Sequence, residues 1–298
     1  MIEILRAGPL TTVQDLGRPG LAALGVGASG AADRGSLRLA NRLVGNYEGA
    51  AALELTFGGL HALFGEPTTI ALTGAPCPVT LAPGAVPVGM NAPFTVRPGQ
   101  QLIVGAPCHG LRTYLAFRGG IAIPEILGSR STDLLSGIGP DPLKPGDQFP
   151  LGTQTCGFPN VDQAPAPRYD PYNDLDLLPG PRDDWFTPDA LASLCGSRYE
   201  VTTESNRIGI RLSGPTLTRA IPGELPSEGV VTGSLEVPPG GQPILLLADH
   251  PVTGGYPVIA VVTAPGIDRA AQLRPGDYVR FRLDPRPPRL FNDSPKLG

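Results

Sequence analysis

Apolar residues along this chain gather in short runs broken by turn-forming residues, and they rarely recur at helical spacing. Runs of about four to eight such residues bounded by Gly, Pro, Asn or Asp read as strands. The first half offers Ile2 to Arg6, Thr69 to Thr73, Gln101 to Gly105 and Arg112 to Arg118. The second offers Tyr199 to Thr203, Ser205 to Leu212, Ile244 to Ala248, Val258 to Thr263 and Tyr278 to Leu283. Within Leu111 to Phe117 the alternation sends Arg112, Tyr114 and Ala116 to one face and Thr113, Leu115 and Phe117 to the other. Asp33 is the N-cap expected for a first helix carrying Leu37, Ala40, Leu43 and Val44, closed by Gly45-Asn46. Thr187-Pro188 opens a second short helix that ends at Gly196, and a third is expected near Ile267 to Leu273. The fold class is therefore mainly β with a few short helices.

One turn motif recurs: Val96-Arg97-Pro98-Gly99-Gln100, Leu143-Lys144-Pro145-Gly146-Asp147 and Leu273-Arg274-Pro275-Gly276-Asp277. Pro followed by Gly suits the centre of a type II turn. Each copy leads into a strand-like segment, which hints at two related barrels. Asn160 to Pro181 is polar, acidic and proline-rich, and reads as a linker. The expected organisation is a lobe over 1–159, a linker over 160–181, a second lobe over 182–285 and a tail over 286–298.

The densest stretch is Pro226 to Pro257. It holds the aliphatic run Ile244 to Ala248 between Ser227-Glu228-Gly229 and Gly240-Gly241-Gln242-Pro243 on one side and Asp249 and Thr253-Gly254-Gly255-Tyr256-Pro257 on the other. Polar residues at the ends of a buried strand sit where loops on a rigid scaffold carry function. A plain hairpin in a β core is the competing reading.

Composition narrows the function classes. Apolar residues make up 41% and charged residues 17%, which suits packed cores more than disorder. The formal net charge of −4 gives no basic field for nucleic acid. Lys144 and Lys296 are the only lysines, so the cationic chemistry is that of arginine, suited to bidentate contact with planar anions. Cys77, Cys108, Cys156 and Cys195 are widely spaced, the N-terminus lacks a signal-peptide pattern and no run suggests a membrane span. A cytoplasmic protein with reduced thiols is expected.

Several familiar chemistries find no support. His61, His109 and His250 have no metal-ligand spacing, so no metal is expected on this chain. Gly25 to Gly30 spells G-x-G-x-x-G ahead of the first helix, but Leu21 to Leu24 is a poor strand and the chain is not alternating β/α. An anion at that helix N-terminus remains open. No lysine adjoins a methionine, so no covalent biotin is expected here. What remains is a set of arginines and polar side chains. Arg207 and Arg211 share a face if their stretch is extended, and could clamp a carboxylate, phosphate or carbamate. Asp15, Asp33, Glu228, Glu236 and Asp249 are candidate bases or amide acceptors. Ser227, Gln242, Thr253 and Tyr256 could hold an amide or urea group. Asn41, on the packed side of the first helix, either braces the Gly25 to Ala32 loop or touches a ligand.

These strings resemble the family of the 5-oxoprolinase C-type subunit, also called allophanate hydrolase subunit 2 or the biotin-dependent carboxyltransferase-like family. The matching pieces include Thr12-Val13-Gln14-Asp15-Leu16-Gly17-Arg18, Ser29 to Asp33, Ala40 to Asn46, Leu53-Glu54, Gly110 to Leu115, Leu127 to Asp133, Ser205 to Gly209, Ser227 to Gly229, Gly240 to Ile244 and Thr253 to Pro257. The resemblance implies two tandem cyclophilin-like β-barrel lobes with a cleft lined by Arg112, Arg130, Arg207, Arg211, Glu228, Glu236, Asp249 and Tyr256. It implies a subunit of an ATP-dependent amide or lactam hydrolase, 5-oxoprolinase first, working with a B-type partner subunit and a third hydrolase subunit, with ATP and Mg bound at the level of the complex. Glu228, Glu236, Asp249 and Tyr256 would be catalytic; Arg112, Arg130, Arg207, Arg211, Gln242, Thr253 and Asn41 would bind the small amide substrate. The alternatives are a carboxyltransferase component acting on urea or allophanate with a separate biotinylated protein, and a non-enzymatic binding partner of a kinase-inhibitor-like protein. The chain departs from the family at Glu236, where Gln is usual, across Asp249 to Thr253, and at Val258, where Lys is common.

Overall fold

The computed structural model describes residues 1–158, 161–166 and 173–284. The tail expected over 286–298 lies outside them, as does part of the expected linker. Two lobes, each around its own apolar core, make up the molecule.

The first lobe is a pair of antiparallel sheets facing each other. One runs Gln148–Phe149, Ile2–Ala7, Leu60–Phe64, Gln101–Val104, Val79–Ala82 and Val86–Pro87; the other runs Leu10–Gln14, Ala52–Thr56, Arg112–Phe117, Thr68–Gly74 and Pro93–Val96. Ile4, Leu55, Phe64, Leu72, Leu102, Leu115 and Phe117 meet in the core between them. Helix α1 (Arg34–Leu43) covers the outer face of the second sheet, packing Leu37, Ala40 and Leu43 against Ala71, Tyr114 and Ala116. The strand Arg112–Phe117 is therefore buried on both faces, as its alternation requires: Leu115 and Phe117 point into the sandwich, Tyr114 and Ala116 toward α1. Asp33 caps α1, accepting from the Ser36 amide at 2.8 Å.

The second lobe is a closed barrel ordered Asp174–Pro179, Val258–Val262, Ser234–Glu236, Ile244–Leu246, Gly209–Ser213, Arg198–Val201 and Tyr278–Leu283. Its closure is a parallel pair, Asp174–Pro179 with Tyr278–Leu283. Here the expectation of a linker through residue 181 is corrected. The acidic side chains of Asp174 and Asp176 face outward while Leu175 and Leu177 fill the core, so a polar composition concealed a half-buried strand. Helices α2 (Pro188–Gly196) and α3 (Ala264–Ala270) flank this lobe. Helix α3 begins three residues before its expected start, with Pro265 fitting its first turn; Thr263 stands at the N-cap position but its side chain makes no capping bond. Among the described residues no helix is long and apolar enough to cross a membrane, and all four cysteines are unpaired.

The recurrent Pro-Gly motif forms the same turn three times. Gly99, Gly146 and Gly276 have φ of +78°, +93° and +89°. Each turn is closed by a backbone bond, from Gln100 to Arg97, from Asp147 to Lys144 and from Asp277 to Arg274. The last side chain of each accepts from the first backbone amide, at 2.7, 2.7 and 2.8 Å. Nothing lies within 4 Å of a Cβ built on Gly276, so only the left-handed backbone opposes a side chain there. Gly276→Ala is expected to cost about 1–2 kcal/mol, read as a lower urea midpoint with an unchanged slope.

Candidate functional site

The lobes meet around one buried guanidinium. Arg207 precedes the barrel strand Gly209–Ser213 and is 1% exposed. Its Nε and Nη2 donate to the two oxygens of Asp249, each at 2.9 Å. Nη1 donates to Glu54 Oε1 across the seam, and Nη2 also donates to the Gly30 carbonyl at 2.6 Å. Glu54 sits opposite Tyr114 on neighbouring strands; its Oε2 accepts the Tyr114 hydroxyl at 2.7 Å and the Ala32 amide at 3.0 Å. Arg112 Nε lies 3.4 Å from Glu54 Oε1, while its Nη1 donates to the Ala271 carbonyl of the other lobe. Asp249 also accepts the Ser29 hydroxyl at 2.7 Å and the Leu134 amide at 3.1 Å. Burial works to raise the Glu54 carboxyl, but Arg207 and Arg112 outweigh it and hold that carboxyl below its usual range.

This arrangement revises the expectation for three residues. Arg112, Arg207 and Asp249 do come together from both lobes, but they are engaged with one another and with Glu54, closed to solvent. They brace the seam and do not line an open cleft.

Asp249 leads along the chain to a second cluster. Glu228–Gly229 pairs with Thr253–Gly254, setting Glu228 beside Gly254 and Gly229 beside Thr253. Glu236, on the barrel strand beside Val258, turns its carboxyl toward the same ribbon: a Cβ on Gly254 would collide with Glu236 Oε1. Glu236 is 6% exposed and its Oε1 has no hydrogen-bond partner. Burial pushes its carboxyl up. At the rim, Glu228 forms a fork with Arg182, whose Nε donates at 2.9 Å, and Thr253 and Tyr256 are exposed. Val258 packs with Val230 and Leu246, so no charge stands at that position. A sheltered carboxyl with spare acceptor capacity can accept an amide N–H, or hold and return a proton.

The remaining candidates lie elsewhere. Arg211 is exposed, with Glu204 at 3.6 Å; the strand begins only at Gly209, so it shares no face with Arg207. Arg130 turns away to Glu125 at 2.7 Å and the Ile123 carbonyl at 2.6 Å. Gln242 makes a paired bond with the Gly214 backbone, at 2.8 and 3.0 Å. Asn41 donates to the Glu48 and Ala50 carbonyls and accepts from Asn46, so it braces the turn after α1 and not the Gly25 to Ala32 loop. Asp15 is consumed by Ser129, Ser131 and the Arg130 amide. Ala22–Leu24 is a 3-10 turn and no strand, which removes the dinucleotide reading. Sequence reasoning passed over Glu54 as an ion-pair centre, although a lone acid inside the apolar run Ala51 to Leu55 was a signal. It also passed over Arg18, 2% exposed, whose Nη2 donates to the Ser131 carbonyl while Nε and Nη1 find no partner.

A family model described as carboxyltransferase domain, subdomain A and B, matches residues 24–283. The chain is 40% identical over 284 residues to the C-type subunit of 5-oxoprolinase from Escherichia coli (strain K12), covering 94% of this chain and 90% of that protein. It is 35% identical over 309 residues to urea amidolyase of Lachancea kluyveri, covering 94% of this chain and 17% of the relative. The solved structure of K. lactis urea amidolyase superposes with a TM-score of 0.87 at 33% identity, over 94% of this chain and 18% of that one. The chain thus spans less than a fifth of either urea amidolyase.

Removing the seam cation strands two buried carboxylates. Arg207→Met is expected to lower stability by about 3–5 kcal/mol, and Arg211→Ala to change it by less than about 0.5 kcal/mol, both by urea denaturation. Glu236 gives a pH signature. Its folded value is raised, so its contribution to stability is complete below about pH 4.5 and is lost as pH rises through the folded value. Glu236→Gln cannot ionise. It is expected to melt above the parent at neutral pH, with the gap narrowing as pH falls toward 4.5.

Proposed function

The chain belongs to the carboxyltransferase domain family, subdomains A and B, and from that premise we propose that it is one subunit of an ATP-dependent amide or lactam hydrolase, with 5-oxoprolinase as the first reading. The observation that carries this is the near end-to-end likeness to the C-type subunit of a 5-oxoprolinase. In this reading the reaction opens 5-oxoproline to glutamate. The lactam C–N bond breaks, water supplies the hydroxyl of the new carboxyl, and the leaving nitrogen takes a proton. A B-type partner subunit packs on this chain, ring opening is completed by a third subunit, and ATP with Mg is bound by the complex.

The proposed contribution of this chain is to orient the planar amide. Glu236 accepts the ring N–H, or returns a proton to the nitrogen as it leaves, and its raised proton affinity supports that role. Thr253 and Tyr256 are exposed, and their hydroxyls would donate to the carbonyl oxygen as charge builds on it. The Arg207 network holds the Asp249 end of the segment that carries Thr253, so its role is positional.

A second reading is favoured by the family description and by the likeness to urea amidolyase: a carboxyltransferase component that moves a carboxyl group from a separate biotinylated protein to urea or a related amide. Reconstitution separates the two. Mixing the chain with its B-type and third-subunit partners is expected to give 5-oxoproline-dependent ADP and glutamate, unaffected by avidin. Urea-dependent, avidin-sensitive turnover with a biotin carboxylase would favour the second reading. Stable partner binding without turnover of either substrate would overturn both.

A further inference from the structure

The lactam read for the Glu236 ribbon carries a charge that Glu236, Thr253 and Tyr256 cannot balance. In 5-oxoproline a carboxylate stands two bonds from the ring nitrogen, so a site that meets the N–H must also receive an anion close by. The arginines expected to supply a cation do not reach the ribbon. Arg112 and Arg207 are paired in the seam, Arg130 turns to Glu125 and Arg211 faces Glu204. Arg219 donates to the Val237 carbonyl next to Glu236, but its Nη1 and Nη2 are both held by backbone carbonyls, those of Gly223 and Val237.

Arg182 stands at the ribbon. Its amide donates to the Val258 carbonyl at 3.2 Å, and Val258 is the strand partner of Glu236. Its side chain grips Glu228, Nε donating to Oε2 at 2.9 Å and Nη2 to Oε1. The ribbon fixes where Glu228 points. Glu228 and Gly254 are directly opposed on antiparallel strands, so their Cβ positions lie on one face, about 5 Å apart. A Cβ on Gly254 would run into Glu236 Oε1. Glu228 therefore rises on the face that the Glu236 carboxyl occupies, and it holds the Arg182 guanidinium there.

That guanidinium is only half used. An arginine offers two donor edges, Nε with one terminal nitrogen and the two terminal nitrogens together. Glu228 takes the first edge. Nη1 has no partner among the described residues, and the side chain is 36% exposed, so the second edge is available. Glu228 and the exposed Asp184 both act on this cation. An anion arriving there is thus held by two parallel N–H bonds and not by an excess of positive charge.

We propose that Arg182 is the specificity-determining residue of this site, which takes amides that bear a carboxylate on the carbon next to the N–H. The ligand N–H meets the Glu236 carboxyl, and the ligand carboxylate lies across the Nη1–Nη2 edge of Arg182 while Glu228 keeps the other edge. A neutral amide such as urea leaves the free edge empty and gains nothing from it. The proposal rests on the amide or lactam hydrolase reading and deepens it.

The test uses the full chain reconstituted with its B-type and third-subunit partners. 5-Oxoproline is the substrate, and 2-pyrrolidinone, the same ring without the carboxylate, is the competing ligand. The parent is expected to bind 2-pyrrolidinone about tenfold or more weakly than 5-oxoproline, as loss of a hydrogen bond to a charged group does. Arg182→Gln should raise KM for 5-oxoproline about tenfold or more with a smaller change in kcat, and leave the inhibition constant of 2-pyrrolidinone within about twofold. Arg182→Lys keeps the charge without the fork and should recover part of the loss. Equal affinity of the parent for the two lactams would overturn the proposal without any variant, and so carries the test if the variants fail to fold. An unmoved KM for 5-oxoproline in Arg182→Gln, or equal losses for both ligands, would overturn it too. Each of these results leaves the hydrolase reading standing, whereas no 5-oxoproline turnover by the parent complex would remove that reading and the proposal with it.

Discussion

A guanidinium removed from water must be compensated by charge and by hydrogen bonds, and at Arg207 the compensation comes from both lobes. Asp249 binds it in a fork from the barrel side, Glu54 and the Gly30 carbonyl from the sandwich side. Desolvating an ion costs several kcal/mol, so neither lobe alone gives Arg207 a satisfactory environment. Most of what is specific about the seam follows. Arg112 shares Glu54, Tyr114 fixes the second Glu54 oxygen, and Ser29 and the Leu134 amide complete Asp249. A registry device of this kind fixes how two greasy surfaces meet more sharply than apolar contact could, because a small slip leaves a charge unpaired.

Around that centre the seam carries further polar stitches. Gln272, just after α3, spans to the Asp33 carboxylate and to the Arg112 backbone, and Arg274 donates to the Pro107 carbonyl. The exposed functional candidates lie outside this zone, on the short Glu228–Gly229 and Thr253–Gly254 ribbon. Stiffness and chemistry are thus separated: the charges at the centre of the seam are paired, whereas Glu236 keeps an oxygen free. A sheltered group with spare bonding capacity is what a binding site needs and what a brace must avoid.

Local features were legible because their causes are local. The alternation in Arg112–Phe117, the Asp33 cap and the Pro-Gly turns all follow from a few adjacent residues and stand as read. Asp174–Pro179 was hidden because an outward face of aspartates at a barrel surface has the composition of a linker. Leu10–Gln14 was hidden by its threonines, which are buried despite their polarity. The fate of the arginines was beyond local reading: Arg207 and Glu54 are 153 residues apart, and nothing in Ser205 to Gly209 says whether its guanidinium meets solvent, ligand or a distant carboxylate. The family resemblance placed Arg112, Arg207 and Asp249 near one another correctly, but side-chain chemistry alone suggested a clamp where packing produced a brace.

The parallel ladder between Asp174–Pro179 and Tyr278–Leu283 has a consequence for biosynthesis. The first strand of the barrel can pair with Val258–Val262 earlier, but cannot find its parallel neighbour until nearly the last described residue has left the ribosome. The sandwich lobe, by contrast, has all its strands once Phe149 emerges. It therefore waits through more than a hundred further residues with Glu54 and Arg112 facing each other and no third charge between them. Arrival of the final strand closes the barrel and delivers Arg207 to that waiting pair, so vectorial synthesis imposes an order of assembly: sandwich first, then barrel, then lock.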